Sequence, residues 1–296
     1  MLENKNILIT GATGFIGYNL AKYLARTNVV YCIVRKLSNL DKLSNIPNIQ
    51  FIYFDSDISK FTNSLSAVNF DLVYHLASLF IAEHKPENIS DLIDSNIKFP
   101  NQLLEALSIT QAKIRLINTG TAWQNYDNSL YNPTCLYAAT KQACEDIIKF
   151  YHEAKELSCI TLRLYDTYGQ NDERKKLFWL LEQLRDSGKD LDMSAGEQKL
   201  NIVYIDDVIS AFEIAGEMLL FDDRVNAVFG VYSEEEYSLR RIVRLFEEVN
   251  NCCLNIHWGK KEYRKRELMQ PKYLYPCLPN WSAKIKLNDG LKRLSR

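Results

Sequence analysis

Tyr137 and Lys141 are the pair of residues in this chain whose types and spacing are most suited to chemistry. Four positions apart on a helix, a phenol and an ammonium lie on the same face. We expect the ammonium to lower the pKa of the phenol from about 10 toward neutrality. Such a phenol can exchange a proton with an alcohol or a ketone. Upstream, Thr119 adds a hydroxyl that could hold and polarise a carbonyl oxygen.

A glycine-rich turn near the N-terminus predicts the partner for that chemistry. The apolar run 6–10 is followed by three glycines at a spacing of three, and then by helical periodicity. This arrangement allows a tight turn, a close approach of the backbone to a pyrophosphate and close packing of helix on strand. The start of the helix adds unpaired N–H groups and the positive end of its dipole. We therefore expect a dinucleotide held by Gly11, Thr13, Gly14, Phe15, Ile16 and Gly17.

The end of the next apolar run indicates which dinucleotide. Arg35 and Lys36 occur where a carboxylate would accept a hydrogen bond from the ribose of NAD. An arginine there accommodates the 2′-phosphate of NADP instead, so the sequence favours NADP(H), with NAD(H) as the alternative. We expect the nicotinamide cation of the bound cofactor to act together with Lys141 in lowering the pKa of Tyr137. Asp57 and Ile58 follow the third run, where the carboxylate could accept from the amino group of an adenine.

The elements that must position these residues follow from periodicity. Alternating apolar runs and amphipathic stretches in the first half predict βαβ units around a parallel sheet. The expected strands are 6–10, 29–34, 49–54, 72–76, 114–119 and 159–164, and the expected helices are 16–26, 92–107, 136–155, 176–187, 208–220, 239–249 and 289–294. The predicted fold class is α/β. A doubly wound, parallel-sheet Rossmann domain spans residues 1–168. A smaller, mostly C-terminal α+β substrate lobe spans 169–296, with some strands and helices returning to the first domain.

The composition of the chain argues against several classes of binding partner. The net charge of −1 offers no general attraction for nucleic acid or anionic membranes, although residues 258–296 carry 11 Lys/Arg against 3 Asp/Glu. That basic end could attract phosphates, or it could be a solvated surface. The seven cysteines lack Cys-x-x-Cys spacing, and we see no export segment or 18-residue apolar run, so we expect a cytoplasmic protein with no membrane span. The four histidines lack metal-ligand spacing, so no metal is expected.

Motifs along nearly the whole chain carry a family resemblance. They lie at residues 11–17, 57–58, 74–77, 96, 133–141, 162–165, 203–208, 280–281 and 290–291. On these segments the chain resembles an extended short-chain dehydrogenase/reductase of the NAD(P)-dependent nucleotide-sugar epimerase/dehydratase/reductase family. Segments 96–100 and 118–124 are most similar to its CDP-abequose/CDP-paratose synthase-like 4-ketoreductase branch. That branch serves the synthesis of surface-polysaccharide sugars such as those of O-antigens.

The resemblance implies roles for individual residues. Thr119, Tyr137 and Lys141 would form the catalytic set, and Lys141 would also hold the nicotinamide ribose. Leu76 and Ala77 would lie beside the cofactor. Thr121 would contact the substrate, and Arg264 would bind its diphosphate, with the cluster Arg174, Lys175 and Lys176 as the competing candidate.

The expected reaction is NADPH-dependent reduction of the 4-keto group of a nucleotide-diphosphate-linked (6-deoxy)hexose. A nucleotide-sugar 4-epimerase with tightly bound NAD and a non-catalytic NADP-sensing protein are the alternatives. A 4,6-dehydratase is disfavoured, because Gly120 and Thr121 follow the catalytic threonine where an Asp-Glu pair is needed. Leu200 and Asp166 depart from the family pattern, which expects an arginine and an asparagine. The resemblance and the two long helices 92–107 and 136–155 imply a homodimer.

Overall fold

The computed structural model describes residues 2–222 and 224–294. Its strands are β1 (Asn6–Thr10), β2 (Val29–Arg35), β3 (Ile49–Phe54), β4 (Leu72–His75), β5 (Ile114–Thr121), β6 (Leu157–Leu164), β7 (Asp166–Tyr168), β8 (Leu191–Met193), β9 (Lys199–Leu200), β10 (Ile202–Tyr204), β11 (Asn226–Val231), β12 (Tyr237–Ser238) and β13 (Ile256–Trp258). Its α-helices are α1 (Phe15–Leu24), α2 (Asp41–Ser44), α3 (Ile58–Leu65), α4 (Ile89–Ile93), α5 (Phe99–Thr110), α6 (Leu136–Ala154), α7 (Leu177–Ser187), α8 (Ile205–Phe221), α9 (Leu239–Asn250) and α10 (Leu287–Leu294).

A seven-stranded sheet dominates the described part of the chain, and all of its pairings are parallel. The strand order is β11-β6-β5-β4-β1-β2-β3. The central strands are almost continuously apolar because both faces of the sheet are covered by helices. Helices α1 and α8 pack on one face, and α3, α5 and α6 pack on the other. This is the predicted doubly wound, Rossmann-like fold.

Strand order reverses between β1 and β4, where the chain turns from one half of the sheet to the other. In an open parallel sheet, such a reversal leaves a crevice outside the carboxyl ends of the strands. Residues that directly follow these two strands therefore meet in space. The turn after β1 contains Gly11, and the segment after β4 begins with Leu76 and Ala77.

Smaller elements follow β6 and form the additional C-terminal part. β7 pairs with β10, β9 with β12 and β8 with β13, each as a two-stranded sheet. Two elements return to the large sheet: β11 pairs with β6 along its whole length, and α8 packs against β5 and β6.

One predicted helix differs from the structure. The continuous helix expected at 92–107 is divided into α4, a π-helical turn (Asp94–Lys98) and α5. The amide of Asn96 lies inside this turn, only 2% exposed, and bonds to a neighbouring loop and to α6. Wide turns of this kind occur frequently at functional sites, and here the turn directs a polar side chain inward.

Candidate active site

Two adjoining cavities open at the carboxyl ends of the sheet strands. The glycine-loop cavity has a volume of about 580 Å³, and its lining includes Gly11, Thr13, Gly14, Arg35, Ala77 and Ser38. The tyrosine cavity has a volume of about 390 Å³, and its lining includes Ile16, Thr119, Thr121, Tyr137, Lys141 and Arg264. Leu76 and Ser78 line both cavities, so the two meet there.

The turn that forms the first cavity requires glycine at two positions. Gly11 has a positive φ of 74°, and a Cβ there would lie 2.6 Å from the backbone nitrogen of Ala77. A Cβ on Gly17 would overlap the carbonyl oxygen of Gly11. The backbones of the turn, of α1 and of the segment after β4 are therefore closer together than any side chain permits.

Helix α1 begins in this turn with its N-terminus free for an anion. Gly14 is the N-cap and supplies no side-chain hydrogen bond, and the first turn contains no acidic residue. The unpaired N–H groups and the positive end of the helix dipole suit a pyrophosphate. The donor set and the space that a Cβ would fill thus fit a dinucleotide.

A buried histidine fixes the wall opposite the turn. The hydroxyl of Thr10 accepts hydrogen bonds from the backbone nitrogens of Leu76 (3.2 Å) and Ala77 (3.1 Å), so it donates to Nδ1 of His75 (2.9 Å). Burial and, to a smaller extent, the ammonium of Lys141 together lower the pKa of His75 to about 3. His75 is therefore neutral at pH 7 and acts as a hydrogen-bond acceptor.

The other predicted cofactor residues differ in whether they line the glycine-loop cavity. Arg35 is exposed at the end of β2 and lines the glycine-loop cavity, whereas Lys36 is exposed but is not part of the lining. Asp57 is the N-cap of α3, where its carboxylate accepts from the backbone nitrogens of Ser59 and Lys60. These contacts lower the pKa of the Asp57 carboxyl, and the hydrogen bond from the backbone nitrogen of Lys60 contributes most. Ile58 begins α3.

The catalytic candidates converge at the second cavity. Tyr137 and Lys141 lie in the first two turns of α6 and face the tyrosine cavity, as their spacing predicts. Thr119 lies near the end of β5 and lines the same cavity. Its Oγ1 is buried and has no hydrogen-bond partner among the described residues. A buried hydroxyl without a partner is costly, and an oxygen atom of a ligand would satisfy it.

The pKa of Tyr137 is determined by the groups that surround its hydroxyl. Burial, and to a smaller extent the thiol of Cys135, raise the pKa of Tyr137 to about 12. The hydroxyl of Ser78 and the guanidinium of Arg174 lower it by less. Burial dominates in the protein without a cofactor, and the lowering of this pKa by Lys141 together with a nicotinamide cation stays a prediction. Burial lowers the pKa of Lys141 as well.

Asn96 connects the wall of the cavity to α6. Its amide oxygen accepts from the backbone nitrogen of Leu79 (2.7 Å) and the hydroxyl of Ser78 (3.1 Å). Its amide nitrogen donates to Oγ1 of Thr140 (2.9 Å), which in turn donates to the carbonyl of Tyr137 (2.7 Å). The sequence analysis included Asn96 only among the family motifs and missed this positioning role.

An ion pair and a hydrogen bond hold the two predicted substrate residues. Arg264 donates twice to Glu267, at 2.7 Å each, and stacks over the ring of Trp123. The hydroxyl of Thr121 accepts from the backbone nitrogen of Trp123 (3.3 Å) and caps a short 3₁₀ turn. Both predicted substrate residues line the tyrosine cavity, but each already has a hydrogen-bond partner within the protein. Leu200 lines it as well, with an apolar side chain.

A buried ion pair supports the floor of the site. Arg163 on β6 donates to Glu145 on α6 at 2.8 Å, and both side chains are nearly inaccessible to solvent. Gln124 donates to the same carboxylate (3.0 Å) and accepts from the backbone nitrogen of Thr121 (2.9 Å). A Cβ on Gly120 would lie 2.8 Å from this carboxylate, so the network also explains a glycine directly after Thr119.

A dinucleotide cradle beside a threonine, tyrosine and lysine set, at the switch point of a doubly wound sheet, defines an enzyme of the extended short-chain dehydrogenase/reductase class. The sequence profile of the NAD dependent epimerase/dehydratase family matches residues 7–225. The chain belongs to that family. This membership confirms the predicted fold class and the prediction of an enzyme.

Individual relatives cover almost the whole chain. A CDP-abequose synthase from Yersinia pseudotuberculosis is 29% identical over 96% of both chains. A CDP-abequose synthase from Salmonella muenchen is 26% identical over 98% of this chain and 97% of its own. The fold is similar to that of a mutant of UDP-glucuronic acid 4-epimerase from Bacillus cereus in complex with UDP-4-deoxy-4-fluoro-glucuronic acid and NAD. That structure has a TM-score of 0.84 and 23% identity, and the match covers 98% of this chain and 97% of the other.

Two kinds of feature are absent from residues 2–222 and 224–294. No helix there is long and apolar enough to cross a bilayer. No group of three or more His, Cys, Asp and Glu side chains there could hold a metal ion.

Proposed function

We propose that this enzyme uses NADPH to reduce the 4-keto group of a nucleotide-diphosphate-linked deoxyhexose. The observation that carries the proposal is the pair of oxygens in the tyrosine cavity: a phenol that burial keeps protonated and the unpartnered hydroxyl of Thr119. Reduction of a ketone needs a proton donor, and Tyr137 is in the donor form at neutral pH. The two CDP-abequose synthases among its relatives support a nucleotide sugar as the substrate.

The glycine-loop cavity would hold the cofactor. Gly11, Gly14 and the N-terminus of α1 would bind the pyrophosphate, and Leu76 and Ala77 would border the path to the tyrosine cavity. Lys141 would donate to the nicotinamide ribose. When bound, the reduced nicotinamide supplies a hydride for the keto carbon.

The residues of the tyrosine cavity would bind the carbonyl oxygen of the substrate and protonate it. Thr119 donates a hydrogen bond to the carbonyl, which polarises it and places it beside Tyr137. Tyr137 then gives its proton to the oxygen as negative charge develops there. Lys141, buried at 2% exposure, stabilises the phenolate that remains.

Arg35 supports NADPH over NADH. Its guanidinium lies at the rim of the glycine-loop cavity, together with Ser38, and it has no ion-pair partner within 4.0 Å among the described residues. A guanidinium in this position can bind a 2′-phosphate in a fork geometry.

The proposal is tested by mixing the purified protein with NADPH and CDP-, dTDP-, UDP- or GDP-linked 4-keto-6-deoxyhexoses. Loss of NADPH absorbance and formation of the 4-hydroxy product are expected with at least one of them. No turnover with any of the four would contradict the proposal.

A 4-epimerase is the second candidate, because the family description includes NAD-dependent epimerases. An epimerase returns the hydride to the same substrate and so retains its NAD. Tightly bound NAD in the isolated protein, together with interconversion of C4 epimers without added cofactor, would favour this candidate over the reductase.

The proposal includes a cytoplasmic homodimer. Ile109 on α5 and Phe150 on α6 are 64% and 61% exposed, and these apolar side chains suit a four-helix contact between two copies. The seven free cysteines fit a reducing compartment. A monomer mass in light scattering at micromolar concentration would contradict the dimer.

A further inference from the structure

Lys141 lies in a part of the site that is almost closed to water. Its side chain is 2% exposed, and its ammonium has no ion pair within 4.0 Å among residues 2–222 and 224–294. Burial favours the neutral form of an amine, and it lowers the pKa of Lys141 accordingly. A lysine that stabilises a phenolate and binds a ribose has to be protonated, so the fold must supply an opposing charge.

Four ionisable groups act on Lys141 from three elements. His75 on β4 is neutral at pH 7, because its pKa is about 3. Cys144 on α6 is neutral as well, because burial raises the pKa of its thiol to about 11. Arg163 on β6 is a cation, and its positive charge lowers the pKa of Lys141. Of these four groups, Glu145 on α6 alone is an anion at pH 7, and its negative charge raises the pKa of Lys141.

Glu145 is held by contacts that fix its carboxylate. It follows Lys141 by four residues, on the same face of α6. The carboxylate accepts from Arg163 at 2.8 Å and from Gln124 at 3.0 Å. A guanidinium stays protonated at any ordinary pH, so this pair opposes the effect of burial and keeps the carboxylate charged. Gly120 leaves the space for it, since a Cβ there would lie 2.8 Å from a carboxylate oxygen.

This inference rests on the proposed function, in which Lys141 is protonated. We propose that Glu145 is a positioning residue for the reaction, which shields Lys141 from the positive charge of Arg163 and keeps its ammonium charged. Without Glu145, two cations would remain buried in the same region with no anion to balance them. With Glu145 in place, Lys141 can stabilise the phenolate of Tyr137, which lies one turn earlier on α6 and is protonated at neutral pH.

The test is a fluorescence titration of the full-length protein with NADPH between pH 6 and pH 10. The affinity of the wild type should fall as Lys141 loses its proton, because a charge-assisted hydrogen bond to the ribose becomes weaker. E145Q keeps the shape of the side chain and removes its charge. The midpoint of its pH profile should lie about 1 unit lower. Its affinity should be up to about tenfold weaker at high pH, and within about threefold of the wild-type value at pH 6.

Two further variants separate this electrostatic role from a structural one. E145D keeps the carboxylate on a shorter side chain and should retain the wild-type midpoint. D146N is the matched control, because it also removes one carboxylate from α6, but at an exposed position. Its midpoint should not change. A structural role of Glu145 would instead weaken NADPH binding equally at every pH.

A double variant keeps the inference testable if E145Q does not fold, since removal of one partner of a buried ion pair is strongly destabilising. E145Q/R163M contains neither charge of the pair and should keep the fold. Glu145 acts on Lys141 more strongly than Arg163 does, so the midpoint of the double variant should lie about 0.5 unit below that of the wild type.

A wild-type midpoint in E145Q overturns the inference and leaves the proposed function intact. If E145Q does not fold, a wild-type midpoint in the double variant does the same. If the wild type does not bind NADPH at any of these pH values, the proposed function fails as well.

Discussion

The two cavities are built in different ways. The glycine-loop cavity is formed mainly by backbone: a turn, the start of α1 and the segment after β4 meet at distances that exclude a Cβ. The tyrosine cavity is formed mainly by side chains from well-separated segments, including Thr119, Tyr137, Asp166 and Arg264. The first is fixed by a local sequence pattern, whereas the second depends on which charges pair after folding.

This difference teaches where variation is tolerated. The backbone of the glycine-loop cavity binds the pyrophosphate, which NAD and NADP share. Few other sequences can form this turn. A wall of side chains can be changed one residue at a time, as Leu200 and Asp166 show, without altering the fold. We therefore expect changes in the two cavities to separate cofactor binding from substrate chemistry.

The largest expected effect is on the chemical step. Y137F should reduce kcat for ketone reduction by about 1,000-fold, since general acid catalysis contributes roughly 10²–10⁴. Its NADPH affinity should stay within about threefold of the wild-type value, because the cradle is untouched. Stopped-flow absorbance and fluorescence titration measure the two quantities. Y131F, at a half-exposed tyrosine, is the control. Full activity in Y137F would remove this tyrosine from the mechanism.

The next largest effect should be on the affinity for the cofactor alone. G11A should weaken NADPH binding by up to about 100-fold, because the new Cβ overpacks against the backbone of Ala77. G188A is a matched control: Gly188 also has a positive φ, of 61°, but a Cβ there meets nothing within 4 Å. G188A should lose about 1 kcal/mol of stability and keep its NADPH affinity. Equal NADPH affinities in the two variants would refute the steric explanation.

A smaller effect should sharpen the choice of cofactor. R35A should bind NADPH about 20-fold more weakly and leave NADH binding unchanged, since one charge-assisted contact is lost. K36A should change neither affinity, because Lys36 lies outside the cavity lining. Comparable losses for NADPH and NADH in R35A would show that this arginine does not read the 2′-phosphate.

A separate effect concerns the pH dependence of stability near the cradle. The pKa of His75 is about 3 in the folded state, against about 6.5 when unfolded. The folded state therefore binds fewer protons, and its stability is fully present above about pH 6.5 and declines as the pH falls. Between pH 7 and 5 the wild type should lose about 2 kcal/mol more than H75N. Urea unfolding at the two values measures this difference. H257N, at an exposed position, should behave like the wild type, and equal losses in the wild type and H75N would exclude His75 as the cause.

Much of the fold followed from periodicity. The bounds of β1 and β3 were predicted to the residue, and β2, β4 and α6 to within one. The break in the helix at 94–98 was missed, because a π turn has no composition signal and follows from the inward hydrogen bonds of Asn96. The return of β11 to the large sheet was expected only in general terms, because pairing between distant strands leaves no local pattern.

The sequence by itself determined the cradle and the face shared by Tyr137 and Lys141, because both depend on local backbone geometry and on spacing along one chain segment. Only the tertiary structure decided that burial holds Tyr137 in its protonated form. It also decided that the guanidinium of Arg264 is already paired with the carboxylate of Glu267. Charges and desolvation act through space, between residues that the sequence keeps far apart.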